Sequence, residues 1–344
     1  MNFKRMICAG IAVLGVTVSY ATASASATTI KEAGSSLVFP LATKWANKYS
    51  GATVTTASVG SGKGINLIQV GQVDIGASDA PMTSSQYGAD RAGTPVQIPW
   101  ALSATGVGYN IPGVGYGLEL SGATLAGIFS GKITTWNNSA ILKLNPKYKK
   151  ALGHAGKITP VVRSDGSGDS YAFQHYLTVA AGKAWSYGYS TSWGSPAGIG
   201  ENGNSGIAGE VRQNKGTIGY ISAYYLINQH ITTAKIENAA KKFEYPNAPN
   251  IAAAGASNST ISGQGSGFTG VSIVYPSAKY KAAYPISTYT YAIVNKNDAN
   301  KGAVKSFLNW VISPTGGLYT GSSLDFSPLP AAIRSADVAL INSI

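Results

Sequence analysis

The sequence predicts an α/β fold, and three observations lead to that prediction. Hydrophobic residues recur with a period of two in some segments and near 3.6 in others, and the two patterns alternate along the chain. The length of 344 residues exceeds what one hydrophobic core usually organises, so we expect two lobes. The only cysteine is Cys8, so no disulfide framework is expected and the core must provide the stability.

The N-terminal segment 1–27 has the pattern of a secretory signal. Lys4 and Arg5 form its positive start, an apolar stretch follows, and small residues end it. We expect cleavage after Ala27, with cleavage after Ala25 as the alternative. No later stretch reaches the roughly 18 apolar residues that a membrane-spanning helix needs, so an exported, soluble mature chain is expected.

The period-two and period-3.6 segments also give the individual elements. Ser257 to Gly270 is rich in Ser and Gly and is expected to be a surface loop, followed by a strand-like segment at 271–274. Strands are predicted at 52–59, 73–76, 107–112 and 158–162, and helices at 37–49, 65–70, 124–129, 167–181, 207–213 and 303–312.

Composition excludes several classes of site. Three histidines (His154, His175 and His230) and no cysteine beyond Cys8 leave little for a transition-metal site, so no metal and no cofactor are expected. The motif GSGFTG at 265–270 precedes a strand-like segment, whereas a dinucleotide fingerprint follows a strand and opens a helix. We find no complete catalytic set, and His175 is expected to be a structural or surface histidine.

The net charge of +12 favours anionic ligands, since a positive field draws anions in and speeds their encounter. The alternative is that exported proteins are often basic without a functional reason. Nucleic acid is poorly supported, because the longest basic cluster, Lys147 to Lys150, is short and typical of a solvated helix end.

Three small-residue turns each lead into a predicted helix. They are AGSSL at 33–37, GSG at 60–62 and DGSGD at 165–169. The N-terminus of a helix presents unpaired N–H donors and a partial positive charge, so it suits an anion. Each turn alone is as well explained by ordinary helix capping. Three together, with Arg163 two residues before the last, favour an oxyanion site.

Asp79 directly follows the buried strand predicted at 73–76. In an open α/β sheet, ligands bind outside the carboxyl ends of the strands, and Asp79 lies at such an end. By itself, capping of a following helix explains this aspartate equally well.

With these residues in place, the chain resembles the periplasmic phosphate-binding proteins of high-affinity phosphate ABC transporters. The resemblance covers essentially the whole chain after the signal and includes several motifs in order. They are AGSSLVFPLATKWA (33–46), VGSGKGINLI (59–68), VDIGASDAPM (73–82), TLAGIFSGKITTWN (124–137), VVRSDGSGDSYAF (161–173), GNSGIAGEV (203–211) and GTIGYISAYY (216–225).

The resemblance implies a two-lobed periplasmic-binding-protein type II fold, with two interlobe crossings and a central ligand cleft. We place the crossings near 102–106 and 284–288. Lobe one is then 28–104 plus 287–344, and lobe two is 105–286. The implied location is the periplasm, and the implied partners are inorganic phosphate and the inner-membrane permease. The chain is expected to be monomeric and to bind no nucleic acid.

The resemblance also implies the phosphate-binding residues, carried over position by position. Asp165 matches the acid that steadies the arginine. The residues implied to contact phosphate are Ser36, Leu37, Ser61, Asp79, Arg163, Ser167, Gly168 and Asp169. Asp169 departs from one form of the family, which has threonine at this position. Some relatives carry the acid, so the resemblance implies a variant of the site and not its loss. Two roles stay open for Asp169. It could accept a hydrogen bond from a protonated ligand oxygen, or it could be a carboxylate at the helix N-terminus that interacts favourably with the helix dipole.

Three other functions are weighed against phosphate capture. A binding protein for sulfate, molybdate or phosphonate shares the chemistry, but Asp79 disfavours anions that carry no proton. A phosphatase lacks a metal cluster and a nucleophile–base pair in this sequence. Surface adhesion would use the positive charge but has no motif to support it.

Overall fold

The computed structural model describes residues 28–261, 265, 268 and 270–344. The strands are β1 Thr29–Gly34, β2 Thr53–Ser58, β3 Ile75–Ser78, β4 Pro95–Tyr109, β5 Glu119–Leu120, β6 Thr159–Arg163, β7 Ile199–Glu201, β8 Thr217–Ser222, β9 Lys235–Glu237, β10 Phe243–Glu244 and β11 Ser287–Asn295. The helices are α1 Phe39–Lys48, α2 Ser61–Gln69, α3 Ser84–Gly88, α4 Gly122–Phe129, α5 Ser139–Leu144, α6 Lys149–His154, α7 Gly168–Ala181, α8 Gly203–Gln213, α9 Ala223–Asn228, α10 Ala248–Gly255, α11 Lys301–Ile312 and α12 Ala331–Asn342.

Eight strands form one sheet in the order β2-β1-β3-β11-β4-β8-β6-β7, so the predicted α/β class is confirmed. The long strand β4 joins the two halves of this sheet. Its residues up to Ala104 pair with β11, and its residues from Thr105 onward pair with β8. Strands β5, β9 and β10 form a separate small sheet.

The carboxyl ends of three parallel strands meet at one edge of the sheet. β1 is parallel to both β2 and β3, so the turns after Gly34, Ser58 and Ser78 lie side by side. In the other half, β6 is parallel to β8 and leads into α7 at its own carboxyl end. The fold therefore brings the turns at the starts of α1, α2 and α7 towards a common region.

An aromatic cluster holds α7 against the second half of the sheet. Phe173 stacks on Tyr220 with ring centroids 4.8 Å apart, and Phe129 meets Phe173 edge-on at 4.8 Å. The Tyr220 hydroxyl accepts the backbone N–H of Arg163 at 2.9 Å and bonds the Ser170 hydroxyl at 2.7 Å. Packing and hydrogen bonding thus fix both β6 and the first turn of α7.

Every predicted helix and strand but one has a counterpart in the structure, although three elements begin well before the predicted residue. Residues 271–274 form no strand, although Val271 and Ile273 are buried; the Val271 N–H donates to the Tyr291 hydroxyl at 2.8 Å instead of to a sheet. Helices α2 and α8 begin at Ser61 and Gly203, each four residues before the predicted start, because their Gly- and Ser-containing first turns are helical. Strand β4 begins at Pro95 and not at 107, because its first half is buried along its whole length and lacks the expected alternation.

Some sequence predictions fall outside the described residues. They concern the signal segment 1–27 and, within the loop 257–270 and the GSGFTG motif, residues 262–264, 266, 267 and 269. In the part of the chain that the structure describes, no helix is both long and apolar enough to cross a membrane.

Candidate anion-binding site

Asp79 is the centre of a buried hydrogen-bond cluster at the end of β3. Its carboxylate accepts the Ser35 hydroxyl, with distances of 2.7 and 2.6 Å to its two oxygens. The Ser35 oxygen itself accepts the N–H groups of Leu37 at 3.0 Å and Val38 at 3.3 Å. Since these donors occupy the lone pairs of the hydroxyl, its single hydrogen is directed at Asp79.

Ser61 holds the other side of the same carboxylate. Its hydroxyl donates to Asp79 at 3.2 Å and accepts the backbone N–H of Asp79 at 3.2 Å. Burial and, to a smaller extent, the nearby charge of Asp169 raise the pKa of Asp79 to about 7, even though the hydrogen bonds from Ser35 and Ser61 and the charge of Arg163 act to lower it. Near neutral pH, Asp79 therefore exchanges between the acid and the carboxylate.

Gly168 brings the other half of the molecule against Asp79. Its N–H, at the start of α7, donates to the Ser61 hydroxyl at 3.1 Å, and the Gly62 N–H donates to the Gly166 carbonyl at 2.9 Å. A Cβ atom on Gly168 would lie only 2.5 Å from the Asp79 Cβ. Only glycine allows this approach, so the turn DGSGD and the end of β3 form one site.

Arg163 ends β6 and is 2 % exposed. Its Nε donates to Asp165 Oδ1 at 2.6 Å and its Nη2 to Asp165 Oδ2 at 2.5 Å, a bidentate pair. Burial acts to raise the pKa of Asp165, but the hydrogen bonds and charge of Arg163 and the Gly203 N–H at 3.1 Å outweigh it and lower that pKa. Asp165 stays ionised and fixes the plane of the guanidinium.

Asp169 points into the cluster from the first turn of α7 and is 1 % exposed. Its Oδ1 accepts the Thr105 hydroxyl at 2.8 Å. Its Oδ2 accepts Asn204 Nδ2 at 2.7 Å and Arg163 Nη1 at 3.0 Å. Burial raises the pKa of Asp169, although Arg163, Thr105 and Asn204 lower it in part. The side chain is directed inward and not towards solvent.

The remaining sequence-predicted residues, Ser36, Leu37 and Ser167, lie in the same cluster and already form hydrogen bonds with other protein groups. Ser36 Oγ accepts Asn204 Nδ2 at 3.0 Å and the Asn204 N–H at 3.2 Å. The Leu37 N–H, expected to face a ligand, donates to Ser35 Oγ. Ser167 is fully buried and caps α7 by accepting the Ser170 N–H at 3.2 Å. All nine predicted residues lie within one connected region.

Sequence reasoning missed three side chains of this cluster: Ser35, Thr105 and Asn204. Ser35 lies beside the predicted Ser36, and its capping geometry is a detectable signal. Asn204 lies within the quoted motif GNSGIAGEV but was not assigned a role; its Oδ1 accepts the Ser222 N–H at 2.7 Å. Thr105 sits in a fully buried strand, and no local pattern distinguishes it there.

The charges of the cluster define what it can bind. Arg163 bonds two of the three carboxylates, Asp165 through two hydrogen bonds and Asp169 through one, whereas Asp79, among the described residues, accepts only from Ser35 and Ser61. The pKa values of Asp79 and Asp169 are raised and that of Asp165 is lowered. Arg163, the serine hydroxyls and the N-termini of α2 and α7 suit an oxyanion. The two acids accept hydrogen bonds, so the arrangement suits an oxyanion that carries its own proton. In the described residues, no group of three or more His, Cys, Asp or Glu side chains could hold a metal ion.

Comparison with known proteins gives concordant matches over nearly the whole chain. The model of the PBP superfamily domain matches residues 20–315. The chain is 35% identical over 309 residues to a phosphate-binding protein PstS of Xylella fastidiosa (strain 9a5c), covering 88% of this chain and 81% of that protein. It is 32% identical over 322 residues to the phosphate-binding protein PstS of Haemophilus influenzae, covering 90% and 92%.

Solved structures show the same fold. A high-affinity periplasmic phosphate-binding protein, PfluDING, solved with phosphate at pH 8.5, superposes with a TM-score of 0.73 at 21% identity, covering 91% of this chain and 93% of that one. A phosphate-binding protein from Stenotrophomonas maltophilia gives a TM-score of 0.68 at 20% identity, covering 91% and 94%. The fold is that of the periplasmic binding proteins.

Proposed function

The chain belongs to the PstS family of phosphate-binding proteins within the periplasmic-binding-protein superfamily, and we propose that it captures inorganic phosphate for an ABC transporter. One observation carries this proposal: Arg163, Asp79 and Asp169 converge in one buried cluster built from both halves of the sheet. In this proposal the segment 1–27 is a cleaved signal and the protein works in the periplasm, where it delivers phosphate to the inner-membrane permease.

Donors and acceptors of the cluster have separate roles in the proposal. The donors supply charge-assisted hydrogen bonds to phosphate oxygens, while Asp79 and Asp169 accept from protonated oxygens. The proposed donors are the hydroxyl and N–H of Ser36, the N–H groups of Leu37 and Gly168, the hydroxyls of Ser61 and Ser167, and the Arg163 guanidinium. In this proposal phosphate replaces the protein acceptors that the Leu37 N–H, the Gly168 N–H and the Ser61 hydroxyl have in this structure. Asp165 holds Arg163 in place and does not contact the phosphate.

Selectivity for phosphate follows from the two acceptors. Sulfate at neutral pH has no proton to donate, so its oxygen would face the lone pairs of a buried carboxylate. Rejection by a buried polar group left unpaired reaches on the order of 10⁴–10⁵ in other proteins. Because the pKa of Asp79 is raised to about 7, the discrimination against sulfate weakens below that pH, where Asp79 itself can donate.

The two lobes of the proposal are 28–104 plus 287–344 and 105–286. The change of partner along β4, from β11 up to Ala104 to β8 from Thr105, supports a crossing at this point. The second crossing lies at the start of β11, where Ser287 pairs with Ala104. Closure of the lobes about these strands would be a hinge motion. We propose no catalytic role, since the relatives carry the names of binding proteins.

Calorimetry with phosphate and sulfate, side by side at pH 7.5, tests the proposed function. We expect wild type to bind phosphate at least about a thousandfold more tightly than sulfate. The Asp79→Asn variant should lose phosphate affinity and bind sulfate better relative to phosphate, because the amide can donate. Glu210→Gln, a half-buried acid in α8 outside the cluster, is the control and should bind like wild type. Equal affinity of wild type for the two anions would refute the proposal.

A further inference from the structure

A second basic region lies in the half of the molecule that contains β6 and β8, at the ends of these strands away from the candidate site. It is a cleft of about 860 Å³ between α6 and the starts of both strands. Its lining includes four lysines and a histidine but no aspartate or glutamate; they are Lys147, Lys150, Lys157, Lys215 and His154. We call this region the lysine cleft.

The lysine cleft is separate from the cluster around Arg163. Thr159, the first residue of β6, lines the cleft, whereas Arg163, the last, belongs to the cluster. Four residue steps at about 3.3 Å each put roughly 13 Å between these two positions. Lys215 likewise precedes β8, and Ser222 at the far end of β8 bonds Asn204 of the cluster.

The floor of the lysine cleft is held by backbone hydrogen bonds. The Gly216 N–H donates to the Asn110 carbonyl at 2.7 Å, and the Gly216 carbonyl accepts the Thr159 N–H at 3.0 Å and Trp136 Nε1 at 3.2 Å. Gly216 has a φ of +83°, and a Cβ there would lie 2.8 Å from the Lys157 carbonyl oxygen. The backbones that carry Lys157 and Lys215 are therefore fixed in close approach.

The positive charges of the cleft are not neutralised by the protein. Across the described residues, none of the four lysines forms an ion pair, and all four are exposed. Lys147 Nζ lies 4.6 Å from the centre of the Tyr148 ring, a contact that orients the ammonium group but keeps its charge. Like charges held around one concave volume repel each other, and a polyvalent anion relieves that repulsion.

We propose that the lysine cleft binds a linear oligophosphate chain. The volume lies within the roughly 300–1,000 Å³ typical of small-ligand pockets, so it suits a short flexible chain. Ammonium groups bind phosphate as point charges and impose no planar geometry, which fits an anion of repeating phosphates. Among the described residues, the lining contains one Phe, Tyr or Trp ring, that of Tyr148, and Lys147 covers one of its faces, so the cleft lacks the series of aromatic side chains on which successive bases stack.

Calorimetric titration with tripolyphosphate tests the proposal on full-length mature protein saturated with orthophosphate. We expect binding to persist under saturation and to weaken by about tenfold or more in the triple variant Lys150→Gln, Lys157→Gln, Lys215→Gln. The matched control removes the same number of exposed positive charges elsewhere, as Lys48→Gln, Lys183→Gln, Lys281→Gln, and should change affinity less than about twofold. Orthophosphate affinity should be unchanged in both variants.

Three results would overturn the proposal. Equal loss in the control variant would show that net charge, and not the cleft, attracts the chain. Displacement of tripolyphosphate by orthophosphate would place it in the cluster around Arg163. Cosedimentation with phosphatidylglycerol vesicles, lost in the triple variant, without binding of free tripolyphosphate would assign the cleft to lipid headgroups. Because both variants are compared with wild type, the test stands even if orthophosphate does not bind at all.

Discussion

Asp165 and Asp169 lie four residues apart around the same turn, yet their surroundings give them opposite properties. Asp165 receives two hydrogen bonds from Arg163 and one from the Gly203 N–H, and its pKa is lowered. Asp169 shares only one guanidinium hydrogen bond, is more deeply buried, and its pKa is raised. The first acid therefore orients the arginine, and the second can accept a proton shared with a ligand.

Gly168→Ala tests the close approach at the residue scale. The added Cβ would lie 2.5 Å from the Asp79 Cβ, so the start of α7 must move away from β3. We expect phosphate affinity, measured by calorimetry, to fall by on the order of a hundredfold, since this shift moves the Gly168 N–H and Asp169 away from the proposed phosphate position. Gly153→Ala in α6, where the new Cβ meets nothing within 4 Å, is the control and should not change affinity. Unchanged affinity of Gly168→Ala would contradict the geometry.

At the scale of elements, local patterns predict the segments whose burial is one-sided. The amphipathic helices α1, α2 and α11 were identifiable from the spacing of their apolar residues. Strands β4, β8 and β11 are buried along their whole length, so the alternation that marks a half-exposed strand is lost there. In segment 271–274 the pattern predicts a strand that does not form. Val271 and Ile273 are buried in alternation, as in a strand, but the Val271 N–H bonds the Tyr291 hydroxyl and not a neighbouring strand.

Asp337 in α12 gives a prediction about stability. It is fully buried, neither of its carboxylate oxygens has a hydrogen-bond partner among the described residues, and burial raises its pKa to about 9. Between its unfolded value near 4 and about 9, the unfolded chain loses this proton while the folded chain keeps it. Stability due to this group is therefore complete below pH 4 and falls as pH rises towards 9.

The Asp337→Asn side chain does not titrate, so the variant avoids this loss of stability. Its unfolding free energy relative to that of wild type should therefore increase from pH 5 to pH 8. We expect the difference in unfolding free energy between the two proteins to change by on the order of 4 kcal/mol from pH 5 to pH 8, at about 1.4 kcal/mol per pH unit, measured by urea denaturation. Burial also raises the pKa of Glu32 in β1 to about 8. The unfolding free energy of both proteins therefore also falls with rising pH because of Glu32, and this contribution cancels in the difference between them. A constant difference across this pH range would contradict the assignment.

At the scale of the whole molecule, the candidate site depends on contacts between distant parts of the sequence. The three turns and Arg163 could be found locally, because each is a short motif at a helix start. Thr105 and Asn204 approach Asp169 across 64 and 35 residues, and only the tertiary fold brings them there. The inward direction of Asp169 was undecided from the sequence for the same reason.

Asn204→Ala tests whether the two halves act as one site. Asn204 bonds Ser36, which precedes α1, and Asp169, at the start of α7, so its loss leaves buried polar groups on both sides unpaired. At about 1–3 kcal/mol for such a loss, calorimetric phosphate affinity should fall by roughly 10- to 100-fold. Asn228→Ala, an exposed side chain bonded only to the Tyr224 carbonyl among the described residues, should bind like wild type. Identical affinities for the two variants would argue against a shared site.

Phosphate titration across pH tests the central claim, that buried acids bind a protonated phosphate. In the ionised cluster, Asp79, Asp165 and Asp169 face the single positive charge of Arg163, so a dianionic ligand is disfavoured. We therefore predict that wild-type affinity weakens as pH rises from 6 to 8.5, through the pKa of about 7 at Asp79. Asp169→Thr, which keeps a hydrogen-bonding side chain but removes one charge, should show a smaller decrease. A flat or rising wild-type affinity, or the same slope in both proteins, would contradict the account.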